Sequence, residues 1–229
     1  MKDTTNAFRP LACVAALTLA LAGCATEAHR TIAPTTVASA GTAYSGPKHT
    51  LVVGKFQNRS TYMQGIFSDG PDQLGNQSKT ILKSHLQQSG RFAVVDRENM
   101  EAIAEEAKLA GAKQSLKGAD VAITGDVTEF GRKTVGDMQL FGILGAGKKQ
   151  IAYAKTTLNV VDVRTSEIVY SVQGAGEYEL SNREVIGFGG TAGYDATLNG
   201  KVLDLAIREA VNNLVAGLER GDWSPTRAR

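Results

Sequence analysis

The sequence predicts an α+β fold, a mixed β-sheet with flanking helices in the order β-α-β-α-β-β-β-α. Three observations predict it. β-branched runs that suit strands recur near residues 50, 92, 120, 151 and 167. Two segments with apolar residues at helical spacing separate the first three of them. A third, longer amphipathic segment closes the chain, so helices cover one or both faces of one sheet.

Each element has a local reason. Thr50–Phe56 is a short β-branched run, followed by a Gly-, Ser- and Asp-rich loop from Gln57 to Gly75. Ile81, Leu82 and Leu86 share one helical face, and Ser89-Gly90 supplies the stop. Phe92–Val95 reads as a buried strand. Asp96 is a good N-cap for a helix whose apolar face is Met100, Ile103, Ala104 and Ala107. Asp120–Phe130 alternates, with Val121, Ile123 and Val127 inward, and Ile151–Val163 and Glu167–Tyr178 are two further strands. In the last helix, expected to be capped by Asn199, Leu203, Ile207, Ala210, Leu214 and Leu218 form one stripe. Asp204 and Arg208 make an i,i+4 pair on the other face.

Two glycine-rich stretches, 131–150 and 174–200, interrupt this plan and exceed the usual connection inside a domain. Phe141 sits in one; Phe188 and Tyr194 sit in the other.

The 229 residues are 42% apolar and 21% charged with a net charge of +2, which is the balance of a folded domain and not of a nucleic-acid binder. The N-terminus points to a compartment. Lys2 and Arg9 precede the apolar run Leu11–Ala22, too short to span a bilayer and suited to a secretory signal. It ends in Leu21-Ala22-Gly23-Cys24, which resembles the bacterial lipoprotein signal, in which the cysteine is acylated and becomes the first residue. Loss of Lys2, Asp3 and Arg9 would leave a net charge of +1. Ala25 at the next position, in place of Asp, fits outer-membrane sorting. Both cysteines, Cys13 and Cys24, precede the folded region, which excludes a disulfide framework and a Cys-based zinc site. Residues 24–48 read as a flexible tether with a reach of roughly 25–30 Å. The domain is expected at 49–223, with 224–229 as a tail.

No pattern for catalysis, a cofactor or a metal emerges. His29, His49 and His85 are widely spaced and read as surface residues. Asp120 and Asp126 are placed on the solvent side of their strand. Together with Glu129 they read as solvated carboxylates and not as an acid/base pair. Gly187–Ala192 matches a GxGxxG/A pattern, but only one helix follows it, whereas a dinucleotide site needs a whole βαβ unit. Gly142, Gly145 and Gly147 lack the GK[ST] ending of a phosphate-binding loop, and no GxSxG elbow is present. The sequence therefore reads as non-enzymatic.

Four stretches carry a family resemblance: the lipobox, Ser89–Asp96-Arg97, Asn159–Val169 with its Thr165-Ser166-Glu167-Ile168 turn, and Glu219-Arg220-Gly221-Asp222-Trp223. In this order they resemble the CsgG family, the lipoproteins of curli secretion and related envelope assemblies, from about Thr50 to Trp223. The resemblance implies a periplasmic α/β domain and two hairpins per subunit, at about 128–155 and 172–200, contributed to a shared outer-membrane barrel. It implies a pore constriction in the loop before the first helix, where Tyr62 and Phe67 stand, with Ile66 where an Asn is expected. Met138, Leu140, Phe188 and Tyr194 are the candidate membrane-facing residues of the hairpins. In the second hairpin, Glu177–Ser181 and Val185–Gly193 would flank a turn at Asn182-Arg183-Glu184. Period-2 alternation is imperfect in the first hairpin, so barrel strands and periplasmic hairpins packed on neighbours are both open.

The resemblance implies an outer-membrane lipoprotein held by acylated Cys24. It would form a homo-oligomeric ring for export or assembly of secreted or envelope polymers, with such proteins as partners. The alternative is a periplasmic lipoprotein without a pore that binds and regulates an envelope partner such as a peptidoglycan synthase. A short tether argues against that use, because reach grows only as the square root of length.

Overall fold

The computed structural model describes residues 34–62, 70–138, 146–184 and 197–225; the side chains at 134, 136–138, 146–149 and 180–184 lie outside that description. The chain divides into two units, Met1–Thr35 and Thr36–Arg229, and the second is the body described here. Its elements are β1 (His49–Asn58), α1 (Gln73–Gln88), β2 (Phe92–Val95), α2 (Met100–Leu109), β3 (Val121–Met138), β4 (Ala146–Asp162), β5 (Ile168–Glu184) and α3 (Leu198–Arg220). This is the predicted order.

The five strands form one sheet in the order β2-β1-β3-β4-β5. β1 runs parallel to β2 and β3, while β3, β4 and β5 are antiparallel. The connections β1-α1-β2 and β2-α2-β3 move across the sheet in opposite directions, for which the right-handed crossover rule expects opposite faces. α1 and α3 pack on each other and on the strands, forming one layer. α2 buries no residue at all, and Ile103 of its apolar stripe is 44% exposed.

The core lies between the sheet and the α1–α3 layer. Leu51, Val53, Val121, Ile123, Val127, Leu158 and Val160 face Leu82, Leu86, Leu203, Ile207 and Leu214, all buried. Each such side chain contributes about 1.5–3 kcal/mol when fully buried. The α3 stripe is therefore as predicted, with Val202, Ala206, Val211 and Val215 widening it.

Among the described strands the register shifts at three places, one of them between β4 and β5 at Val160/Val161. A register break between Val53 and Phe56 turns Phe56 inward, and one between Val127 and Glu129 turns Phe130 inward. An extra residue in one strand of a pair moves every later side chain to the other face.

The helix starts differ from the expected ones. α2 begins after Asn99, not at Asp96, because Asp96 is spent on a preceding turn: Oδ1 accepts from the Glu98 N–H at 2.9 Å. α3 begins after Thr197, so Asn199 lies inside its first turn.

The first insertion carries the paired hairpin strands that the resemblance implies, and the second departs from its expected turn. The stretch 131–150 is largely strand: β3 and β4 remain paired from Lys133↔Ile151 to Met138↔Ala146. β5 runs on to Glu184, so Asn182-Arg183-Glu184, expected as a turn, pairs instead with Lys148, Gly147 and Ala146. The second arm of that hairpin, Val185–Gly193, lies outside the described residues, as does the GxGxxG/A match. Gly174 and Gly176, placed at the start of an insertion by the sequence, are strand residues under α3. A Cβ at Gly174 would strike the Ala206 carbonyl and the Ala210 amide, so glycine there lets the helix lie on the strand.

Part of the expected tether belongs to the body. Val37 is 2% exposed in the core, and Thr36–Pro47 lies against the body as a strap. The domain thus starts a dozen residues before the expected 49, because burial of one valine and several polar contacts replace the apolar run that sequence reading looks for.

Candidate functional site

Three antiparallel strands, β3, β4 and β5, extend beyond the layer of helices as an arm. α3 starts beside Tyr178, whose ring is covered by the Lys201 ammonium at 5.3 Å, and the strands continue past that point to 138, 146 and 184. The base of the arm is held by side chains from four segments. The inward turn of Phe130 gives Tyr62 a partner, ring centroids 4.6 Å apart and tilted by 50°. The Arg132 guanidinium donates to Asn199 Oδ1 and to Gln150 Oε1, each at 3.3 Å. Asn199 Nδ2 in turn donates to the Tyr62 hydroxyl at 3.4 Å. Asn58 Nδ2 donates to the Tyr62 carbonyl at 2.9 Å, and Asn58 Oδ1 accepts from the Ser60 N–H and hydroxyl. The end of β1, the arm and the first turn of α3 are thereby tied at one place.

Of the sequence-predicted residues, only Tyr62 can be placed with its contacts. Met138 is paired with Ala146 at the end of the described arm. Leu140, Phe67, Phe188, Tyr194 and Cys24 lie outside the described residues. The base node joins Tyr62 to Arg132 and Asn199, which sequence reading missed: an arginine in a glycine-rich stretch and an asparagine in an expected cap carry no pattern that pairs them.

The histidines need a correction. His85, expected on the surface, is 2% exposed between α1 and α3, with Nε2 2.8 Å from Asp204 Oδ1 and Nδ1 3.2 Å from Gln88 Oε1. Helical spacing alone places it one turn from Ile81 and Leu82, on the edge of the buried face. His49 is half-buried with its ring 6.5 Å from Trp223; His29 is outside the described residues. Asp126 pairs with Arg59 at 3.3 Å, and Asp120, just before β3, accepts the Thr50 N–H at 2.8 Å.

Among the described residues, three charged groups have shifted pKa values, all away from the arm. A hydrogen bond from the Asn99 side chain holds Asp96 below the ordinary carboxylate value, and the ammonium groups of Lys79 and Lys83 do the same to Glu98. The Asp222 carboxylate raises Arg220. Among the described residues no group of three or more His, Cys, Asp or Glu side chains could hold a metal ion, and no helix is long and apolar enough to cross a membrane.

The signature stretches acquire physical roles. Asp162 is fully buried, and its Oδ1 accepts the N–H groups of Arg164 at 2.8 Å and Thr165 at 3.2 Å. That closes the β4–β5 turn, in which Ser166 adopts φ +61°. Trp223 is buried after α3, stacked with Phe92 and Tyr170, and its indole N–H donates to the Leu214 carbonyl at 3.3 Å. Gly221, with φ +80°, ends α3 and turns the chain so that Trp223 can fold back.

Comparison with known proteins agrees with this frame. The family model "Curli production assembly/transport component CsgG" matches residues 36–227. The start of that match coincides with the strap. "Putative lipoprotein NMB1126/NMB1164" of Neisseria meningitidis serogroup B is 62% identical over 214 residues, 93% of this chain and 96% of that one. Among solved structures, a PelC dodecamer from Paraburkholderia phytofirmans is similar at TM-score 0.34 and 16% identity, over 74% of this chain and 93% of that one. Lipoprotein GNA1162 from Neisseria meningitidis gives TM-score 0.34 and 16% identity over 75% and 99%. The LpoB C-terminal domain from Salmonella enterica gives 0.31 and 15% over 57% and 85%. With a family match spanning nearly the whole body and the signature residues placed at its turn and its core, this chain belongs to the CsgG family.

Proposed function

We propose that the protein is an outer-membrane lipoprotein without enzymatic activity that assembles into a homo-oligomeric ring serving export or assembly of extracellular or envelope polymers. The observation that carries the reading is the family match over 36–227, joined to an arm that outruns its own helix layer. An exposed strand edge is a template for pairing with another chain, and among the described residues β5, 17 residues long, lies at the edge of the sheet. The lipobox ending at Cys24 and the lipoprotein name of the Neisseria relative support the anchor. Acyl chains at about 0.8 kcal/mol per buried methylene hold such a protein to the bilayer.

Within this reading the loop 63–69 supplies a constriction, with Tyr62 at its base and Phe67 inside it. Met138, Leu140, Phe188 and Tyr194 face lipid. Secreted or envelope proteins are the partners. The test is membrane fractionation with intact mass. The extracted protein is expected to begin at Cys24 with acyl mass attached, and Cys24→Ala is expected to release it into the soluble fraction. A wild-type protein that retains residues 1–23 and is soluble overturns the reading.

A further inference from the structure

The strap Thr36–Pro47 lies along the C-terminal half of α3, and the seam between them holds a crevice of about 260 Å³. Its walls are Ser39 of the strap, Asn212, Val215, Ala216 and Glu219 of α3, and Arg91 just before β2. That volume is below the roughly 300–1,000 Å³ of pockets for drug-sized ligands, so the crevice suits a more compact molecule.

The polar groups on these walls are held in fixed orientations. Arg91 is 4% exposed, and four of its N–H groups donate inside the protein. Nε donates to Glu219 Oε1 at 2.7 Å, and the terminal nitrogens donate to the Ser89 carbonyl, the Thr42 carbonyl and Thr42 Oγ1. A guanidinium carries five such donors, so one is left for a ligand. Glu219 balances the charge of Arg91, and the pair adds no net charge to the crevice. Asn212 Oδ1 accepts the Ala38 N–H at 2.9 Å, which leaves the Nδ2 donors as the side its amide offers. The Ser39 hydroxyl is buried, and among the described residues it is the buried side-chain polar atom without a hydrogen-bond partner. A hydroxyl in that state is costly, and a bound acceptor removes the cost.

These groups select a ligand with two opposite charges. Ser39, Asn212 and Arg91 call for acceptor oxygens. The second carboxylate oxygen of Glu219 calls for a donor. Val215 and Ala216 supply a small apolar wall. A lone anion meets the Glu219 carboxylate and a lone cation meets the Arg91 guanidinium, whereas a zwitterion sets each of its charges on the opposite one.

We propose that the crevice is a binding site for a small free α-amino acid of about the size of alanine. Its carboxylate accepts from Ser39 Oγ, Asn212 Nδ2 and the Arg91 guanidinium, and its ammonium donates to Glu219. The short side chain rests on Val215 and Ala216. Such a ligand bonds the strap to α3 and tightens the seam between them. The site lies within the body and depends neither on the anchor nor on the ring.

Calorimetric titration of the full-length acylated protein in mild detergent, with L-alanine and with D-alanine, tests the site. At least one hand is expected to bind with a dissociation constant of about 1 mM or tighter, and acetate and methylammonium each at least about 10-fold more weakly. Ser39→Ala is expected to weaken alanine about 10-fold or more, and to leave the melting temperature of the unliganded protein unchanged or higher. Glu219→Gln keeps an acceptor for Arg91 Nε; it is expected to weaken alanine about 10-fold or more and acetate not at all. Absence of binding by either hand up to about 10 mM overturns the proposal. So does alanine binding that survives Ser39→Ala or Glu219→Gln intact, or a lower melting temperature for unliganded Ser39→Ala, which would mean that the hydroxyl already has a partner. Acetate that binds as tightly as alanine overturns it as well, and makes the crevice an anion site.

Discussion

At the scale of single residues, the body relies on positions whose side chains, or lack of one, fit a single geometry. Gly174 is the clearest, because the Ala206 carbonyl and Ala210 amide occupy the space of a Cβ. Gly174→Val is expected to force α3 off β5 and destabilise the protein by about 1–3 kcal/mol, read from the urea midpoint. Asp162→Ala removes the acceptor of two turn amides from a buried site and is expected to cost about 1–3 kcal/mol. An unchanged midpoint would mean that backbone bonds alone hold that turn. His85→Ala leaves a hole between α1 and α3 and takes a partner from Asp204, with an expected loss of about 2–4 kcal/mol in the same measurement. These three positions were not equally legible in the sequence. Asp162 stood in a recognisable signature, whereas Gly174 looked like the start of a loop and His85 like a surface residue, because both depend on what α3 brings across the sheet.

At the scale of elements, the sequence predicts order and type well and ends poorly. Among the described residues, periodicity located the five strands and three helices, including α2, whose apolar stripe is not buried. It stopped β3 at Phe130, where a register break flips the alternation, and it stopped β5 at Tyr178, where helix cover ends. Beyond those points the strands are held by cross-strand pairing, which leaves no apolar pattern to read. The strap was missed for a similar reason: a buried Val37 and an arginine node replace a run of apolar residues. A pH effect belongs at this scale too. Lys79 and Lys83 of α1 grip Glu98 in the link from β2 to α2 and hold its pKa below the ordinary value. A carboxylate lowered on folding stabilises fully above its unfolded value, and that contribution is lost as pH falls through the folded value. The link is half-exposed, so the effect is at most about 1 kcal/mol. Glu98→Gln is expected to flatten the stability profile slightly below pH 5 and to leave the rest of it unchanged. A wild-type profile with no such slope would contradict the grip.

At the scale of the whole molecule, a two-sided asymmetry stands out. One face of the sheet is covered by α1 and α3, while among the described residues the three-stranded arm ends in the β5 edge and α2 buries none of its residues. The node of Tyr62, Phe130, Arg132, Gln150 and Asn199 ties the arm to the body. The ring reading turns the β5 edge and α2 into contacts between copies. Imaging of the full-length acylated protein, extracted from membranes in mild detergent, tests that claim most directly. The account predicts closed rings of identical subunits, with the arms together on one side. Single particles of one chain each, at concentrations where the membrane-bound protein is abundant, would contradict it and leave a partner-binding lipoprotein in its place.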